Sequence, residues 1–143
     1  MTPSEIRETC ISAIYASWTE TPVAWPNRDF DPAVAATNDE WLRPIIKMGD
    51  TFEGEKGEDG VGLRTGVLFV DIFVGKGKGN KNALAYAAKI ERLFRKKNLD
   101  NVIFDEASTN DIGVYSASGG QTIGDSPYYQ VQVKVPFWAW VGE

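Results

Sequence analysis

The run VLFVDIFV (Val67 to Val74) constrains the fold more than any other segment of the chain. Successive residues of a strand point to opposite faces. Leu68, Val70, Ile72 and Val74 therefore form one wholly aliphatic face, and Val67, Phe69, Asp71 and Phe73 form the other. Two apolar faces imply a central strand in a covered sheet. The strand runs into the turn GKGKGNKN, and the following segment carries Ala83, Tyr86, Ala87, Ile90, Leu93 and Phe94 at helical spacing. Arg95, Lys96 and Lys97 close that helix, where cations complement the helix dipole.

The remaining elements fall around this pair. TPSE at the start is a capping box with Pro3 at the first helical position, opening a helix with an Ile6, Cys10, Ala13, Ile14 and Trp18 stripe. Prolines in TETPVAWPNRDFDP end it. EWLRPIIKM reads as a strand in which Pro44 demands an edge position or a bulge. NVIFDEA and DIGVYSA read as short strands, SGGQTIGDSP as a loop, and YYQVQVKVPFWAW as a long alternating strand. The expected fold is α+β, a mostly antiparallel (mixed) β-sheet flanked by two main helices, in the order α-β-β-α-β-β-β. No repeat or second domain emerges, so residues 1–143 are expected to form a single domain, with a mobile acidic loop at 49–66.

Two counts narrow the function. The chain has no histidine and one cysteine, which removes Ser-His and Cys-His nucleophile pairs, histidine- or thiolate-ligated zinc and an internal disulfide. An enzyme would be left with carboxylate, lysine or tyrosine chemistry, and the reading is of a non-enzyme. The net charge is -5 and the pI about 4.8, which argues against a general DNA-binding surface. Residues 50 to 60 concentrate the charge, with Asp50, Glu53, Glu55, Glu58 and Asp59 against Lys56 alone. The longest apolar run is broken by Asp71, so no membrane span is expected, and the opening residues lack the basic and apolar regions of a secretion leader.

The glycine turn is the obvious place for a ligand. A P-loop needs a second glycine and then Lys-Ser or Lys-Thr, but Asn80, Lys81 and Asn82 stand there, and Asn80 also replaces the third glycine of the dinucleotide fingerprint. Lys76, Lys78 and Lys81 crowd a helix N-terminus, where cations are unfavourable without a counter-charge. A solvated corner, or a meeting with an acidic protein neighbour, outweighs a nucleotide or phosphate site at residues 75–82. Asp71, without a histidine or carboxylate partner, reads as a hydrogen-bonded structural group, and Cys10 as core packing. Trp138 and Trp140 end the polar face of the last strand. Two readings stand for them: a partner contact, or an inward turn produced by a bulge at Pro136.

In succession, AWPNRDFDP, EWLRP, GVLFVDIFVGKGKGNKNALAYAAKIERLF and YYQVQVKVPFWAW resemble the tail terminator proteins of long-tailed (siphovirus-like) bacteriophages and prophages. The matching positions are Trp25, Pro26, Asn27, Leu42, Arg43, Val70, Asp71, Gly75, Gly77, Ala83, Leu93, Phe94, Gln130, Val131 and Pro136. The resemblance implies a structural virion protein. It would form a homohexameric ring that caps the tail tube, ends its polymerisation and offers the surface to which the head docks. The implied partners are other copies of the chain, the tail tube protein and a head-completion or connector protein, with DNA only passing through the lumen. No cofactor is implied. The implied location is the head-proximal end of the tail, after assembly in the host cytoplasm. Another head–tail joining or tail-completion protein is the alternative. In such a ring, Lys76, Lys78, Lys81, Trp138 and Trp140 are the candidate interface. Glu53, Glu55, Glu58 and Asp59 are the candidate lumen or tube-contacting loop.

Overall fold

The computed structural model describes residues 2–26, 28, 40–53, 62–75, 77, 79, 81–114 and 128–141. The capping box forms as the sequence requires. The Glu5 backbone N–H donates to Thr2 Oγ1 at 3.2 Å and the Thr2 N–H donates to Glu5 Oε1 at 3.2 Å. Helix α1 (Pro3–Ser17) then buries Ile6, Cys10 and Ile14. Burial pushes the Cys10 thiol up to about 12, so it stays neutral and packs as a small apolar group.

Strand β1 (Trp41–Glu53) leads into β2 (Gly62–Gly75), and α2 (Lys81–Phe94) follows. Three short strands come next: β3 (Asn98–Leu99), β4 (Val102–Phe104) and β5 (Ser108–Val114). Strand β6 (Tyr128–Val141) completes the described chain. The sheet order is β1-β2-β6-β4-β3, with β5 also paired to β6, and every strand pair is antiparallel. The two-residue β3 is an addition to the expected order. Its hairpin turns at Asp100 and Asn101, both with positive φ, the conformation that Asp and Asn tolerate best after glycine. The parallel component reduces to one isolated bridge, Val23 to Leu42.

That bridge explains Pro44. Leu42 directs its N–H to the Pro22 carbonyl and its carbonyl to the Ala24 N–H, away from β2. Pro44, two residues on, has the same orientation, so its missing N–H removes no bond from the β1–β2 ladder. β1 is the edge strand, as expected.

Both helices pack on one face of the sheet. Leu68, Val70, Ile72 and Val74 of β2 and Val131, Val133, Val135 and Phe137 of β6 form one core with the helix stripes. Phe94, Phe104 and Phe137 carry it across to β4, with ring centroids 5.0 and 5.9 Å apart. Among the described residues, the second apolar face of β2 is covered at one end. There Trp41 stacks on Phe73 at 4.0 Å, and Tyr128 meets Trp41 edge-on. Farther along, Val67 and Phe69 remain half-buried.

Asp71 is 1% exposed at the middle of that second face. Arg43 Nε and Nη2 donate to its Oδ2 at 3.1 and 2.7 Å, and Gln132 Nε2 donates to its Oδ1 at 2.8 Å. These three residues are directly opposite one another on β1, β2 and β6. The carboxylate is the hydrogen-bonded structural group read from the sequence.

Both ends of the segment expected as a loop at 49–66 are strand. Gly49 to Glu53 belong to β1 and Gly62 to Gly66 to β2, and residues 54–61 lie outside the described residues. The pairing slips between Met48 and Thr51, so Gly49 and Asp50 together face Thr65. Thr65 Oγ1 donates to the Asp50 carbonyl at 3.0 Å and holds this bulge. Glycine density read as irregular structure is strand backbone here, because neighbouring strands supply the hydrogen bonds that local sequence does not reveal.

Two predictions concern stability. Arg43 is one-third exposed and Asp71 is not, so the two partners are unequal. Arg43→Ala strands a buried carboxylate and is expected to cost about 3–5 kcal/mol. Asp71→Asn leaves an arginine that reaches water and should cost clearly less. Urea unfolding of the two variants checks the order. At Gly66 an added Cβ would lie 2.4 Å from Phe137 Cζ and 2.6 Å from the Lys47 carbonyl oxygen. Gly66→Ala should therefore lose about 1–3 kcal/mol through overpacking, read as a lowered melting temperature.

Candidate assembly interface

The face opposite the helices is built from cross-strand rows. From one end they are Trp41–Phe73–Gln130, Arg43–Asp71–Gln132 and Ile45–Phe69–Lys134. Lys47–Val67–Pro136, Thr65–Trp138 and Phe52–Leu63–Trp140 follow. The first two rows are closed by aromatic stacking and the Asp71 hydrogen bonds. The last row is open, with Phe52 55% and Trp140 48% exposed.

β6 passes through Pro136 in unbroken register with β2. No bulge turns the tryptophans inward, so the outward orientation holds. Trp138 and Trp140 meet edge-to-face at 5.6 Å, Trp138 half-buried against the sheet and Trp140 standing out from it. The bulge that matters is in β1. Without it, alternation would put Phe52 on the helix side with Met48; the extra residue sends it to the open face beside Leu63 and Trp140. Sequence reasoning missed Phe52, which fell in the segment read as a loop. The signal was the Gly49-Asp50 pair after an alternating run.

Leu63, Thr65, Pro136, Trp138, Trp140 and Asp105 line an open groove of about 370 Å³ on this face. Asp105 is held there by three bonds: its N–H donates to the Pro136 carbonyl at 2.8 Å, its carbonyl accepts from the Lys96 N–H at 3.1 Å, and its Oδ1 accepts from the Glu106 N–H at 2.8 Å. Arg95 and Lys96 both bond the neighbouring Glu106, and the Arg95 hydrogen bond holds the Glu106 carboxyl below its ordinary range. Among the described residues no cation pairs with Asp105, so its charge is left to the groove.

The structure sets the lysine turn apart from the tryptophans. Gly75 pairs with Tyr128 at one end of the sheet and Leu63 with Trp140 at the other. Gly77 and Gly79 have φ of +86° and +76°, values that favour glycine. Lys81 is the exposed first residue of α2, while Lys76 and Lys78 lie outside the described residues. Glu53 ends β1 opposite Gly62; Glu55, Glu58 and Asp59 lie outside the described residues.

Comparison with known proteins adds three findings. No curated protein matches the chain. A solved structure that bears no functional name is similar over 97% of this chain and 96% of its own, with a TM-score of 0.64 and 22% identity, a likeness of fold alone. A family profile described as phage tail terminator protein matches residues 5–137, nearly the whole chain and at least part of every described helix and strand, with the last residues of β6 beyond it. The chain belongs to the phage tail terminator protein family.

Proposed function

We propose that this tail protein forms a ring, a homohexamer, that caps the tail tube, ends its polymerisation and presents the surface to which the head docks. One observation carries the reading beyond family membership. The sheet has helices on one face and exposed apolar rows on the other, ending in Phe52, Leu63 and Trp140. Exposed aromatic rows rimmed by Lys47 and Lys134 have the character of a protein contact. The partners in this reading are other copies of the chain, the tail tube protein and a head-completion or connector protein. The chain acts as a structural part of the virion at the head-proximal end of the tail, after assembly in the host cytoplasm, and not as an enzyme. No described helix is long and apolar enough to cross a membrane.

DNA crosses such a ring on its way out of the head. The acids of the β1–β2 connection, Glu53, Glu55, Glu58 and Asp59, repeated around the ring, form a negative collar that either lines the lumen or meets the tube. Facing the lumen, it keeps phosphates from sticking.

The test of the capping role is tail assembly without this protein. Electron microscopy is expected to find tubes of uncontrolled length without heads, and normal tails when the purified protein is added. Tails of normal length that join heads in its absence would refute the proposal. The collar has its own test. Replacing residues 54–61 with Asn-Gly, a turn suited to the flanking antiparallel strands, should leave the melting temperature nearly unchanged. It should disturb tail length or DNA ejection; normal, infectious tails would remove the collar's role.

A further inference from the structure

Among the described residues, the outer edge of β1 is paired at one end and open farther along. At the paired end the Leu42 N–H donates to the Pro22 carbonyl at 3.1 Å, and the Ala24 N–H donates to the Leu42 carbonyl at 2.7 Å. Pro44 has no N–H with which to continue this pairing. Strand alternation repeats the outward orientation of Leu42 at Ile46 and Met48. No described backbone group bonds these two on that side. The bulge after Met48 ends the window, so a proline and a bulge bracket an open edge at Ile46 to Met48.

A groove lies beside that edge. Pro3, Ser4 and Arg7 at the start of α1, with Pro26, Ile46 and Met48, enclose an open cavity of about 280 Å³ on the helix side of β1. Met48 is 36% exposed there. Arg7 is exposed at the groove and Lys47 on the opposite face of the strand, and neither has an ion-pair partner among the described residues.

An open strand edge takes an extended backbone, and the flanking side chains select its pattern. Residues opposite Ile46 and Met48 turn to the groove and are apolar. The residue between them faces Lys47, where a carboxylate is favoured and a cation is not. A second copy of β1 is a poor occupant, because antiparallel pairing centred on this window sets Lys47 against Lys47. Of the other outer strands described, β3 has two residues and β5 is interrupted by a bulge between Asp111 and Gly113. The pattern therefore points to another protein. On the capping reading, that protein is the tail tube subunit. The last ring of a growing tube still bears the surface that the next ring would cover, and a cap ends growth by occupying it.

We propose that the Ile46–Met48 edge of β1 and the groove beside it take an extended apolar–acidic–apolar segment of the tail tube subunit, added to the sheet as a further strand. The proposal rests on the capping reading above and names the surface that performs it.

The test uses purified tail tubes grown without this protein, and the full chain as wild type and variants. Met48→Pro deletes one outward N–H and leaves the β1–β2 ladder intact, as Pro44 already does. It should keep the cooperative thermal melt and the wild-type self-association in sedimentation velocity. It should also need roughly tenfold more protein to cap tubes, the scale of a hot-spot loss. Arg7→Glu, at an exposed helix position outside the sheet, should act in the same direction through charge, and it takes the place of Met48→Pro if that variant loses its melt. Hydrogen exchange gives an independent reading: the Ile46 and Met48 amides should exchange rapidly in the free protein and slowly on capped tubes. Variants that cap like the wild type, or no protection of those two amides on tubes, would overturn the contact. Loss of self-association in Met48→Pro would overturn it too, by making a second copy the occupant. A wild type that does not cap tubes at all would sink the capping reading, and this contact with it.

Discussion

The Arg43–Asp71–Gln132 row is the constraint on which the rest of the structure depends. A carboxylate 1% exposed in the middle of a sheet is tolerable only with its oxygens satisfied. Arg43 and Gln132 supply those bonds from the two neighbouring strands. A slip of either neighbour by one residue would send its polar partner to the helix side and strand the charge. The row therefore favours one register for three long strands, and that register decides which side chains reach each face.

The two faces then take different roles. On one, aliphatic rows of β2 and β6 receive both helices and form the core. On the other, burial declines from the Trp41–Phe73 stack towards Phe52 and Trp140. The bulge at Gly49–Asp50 sharpens this gradient by reversing the alternation of β1 for its last residues. An exposed aromatic end opposite a well-packed helical layer is costly for a monomer and useful for a subunit, since it loses water only when a partner arrives.

The lysine corner shows how a motif can be misread when it is separated from its frame. Strand, glycine turn and helix follow in the order of a phosphate cradle, but Asn80, Lys81 and Asn82 break both fingerprints. Gly77 and Gly79 adopt the left-handed conformation that favours glycine. Of the three lysines, Lys81 is described, as the exposed first residue of α2 at the end of the sheet opposite Trp138 and Trp140.

The sequence alone determined what depends on local periodicity and local chemistry. The capping box and stripe of α1, the stripe of α2, the two faces of β2, the alternation of β6 and the edge position required by Pro44 all follow from neighbours along the chain. So did the reading of Asp71 as a hydrogen-bonded group and the family resemblance, most of whose residues lie on those elements. Tertiary structure alone decided the pairing order, the β3–β4 hairpin, the bulge and the true extent of the β1–β2 strands. Gly49 to Glu53 and Gly62 to Gly66 carry no apolar pattern of their own, and they are strands because β1, β2 and β6 hold one another. The exposure of Trp138 and Trp140 was undecidable for the same reason. It turns on whether β6 keeps its register past Pro136, and a register belongs to a pair of strands, never to one.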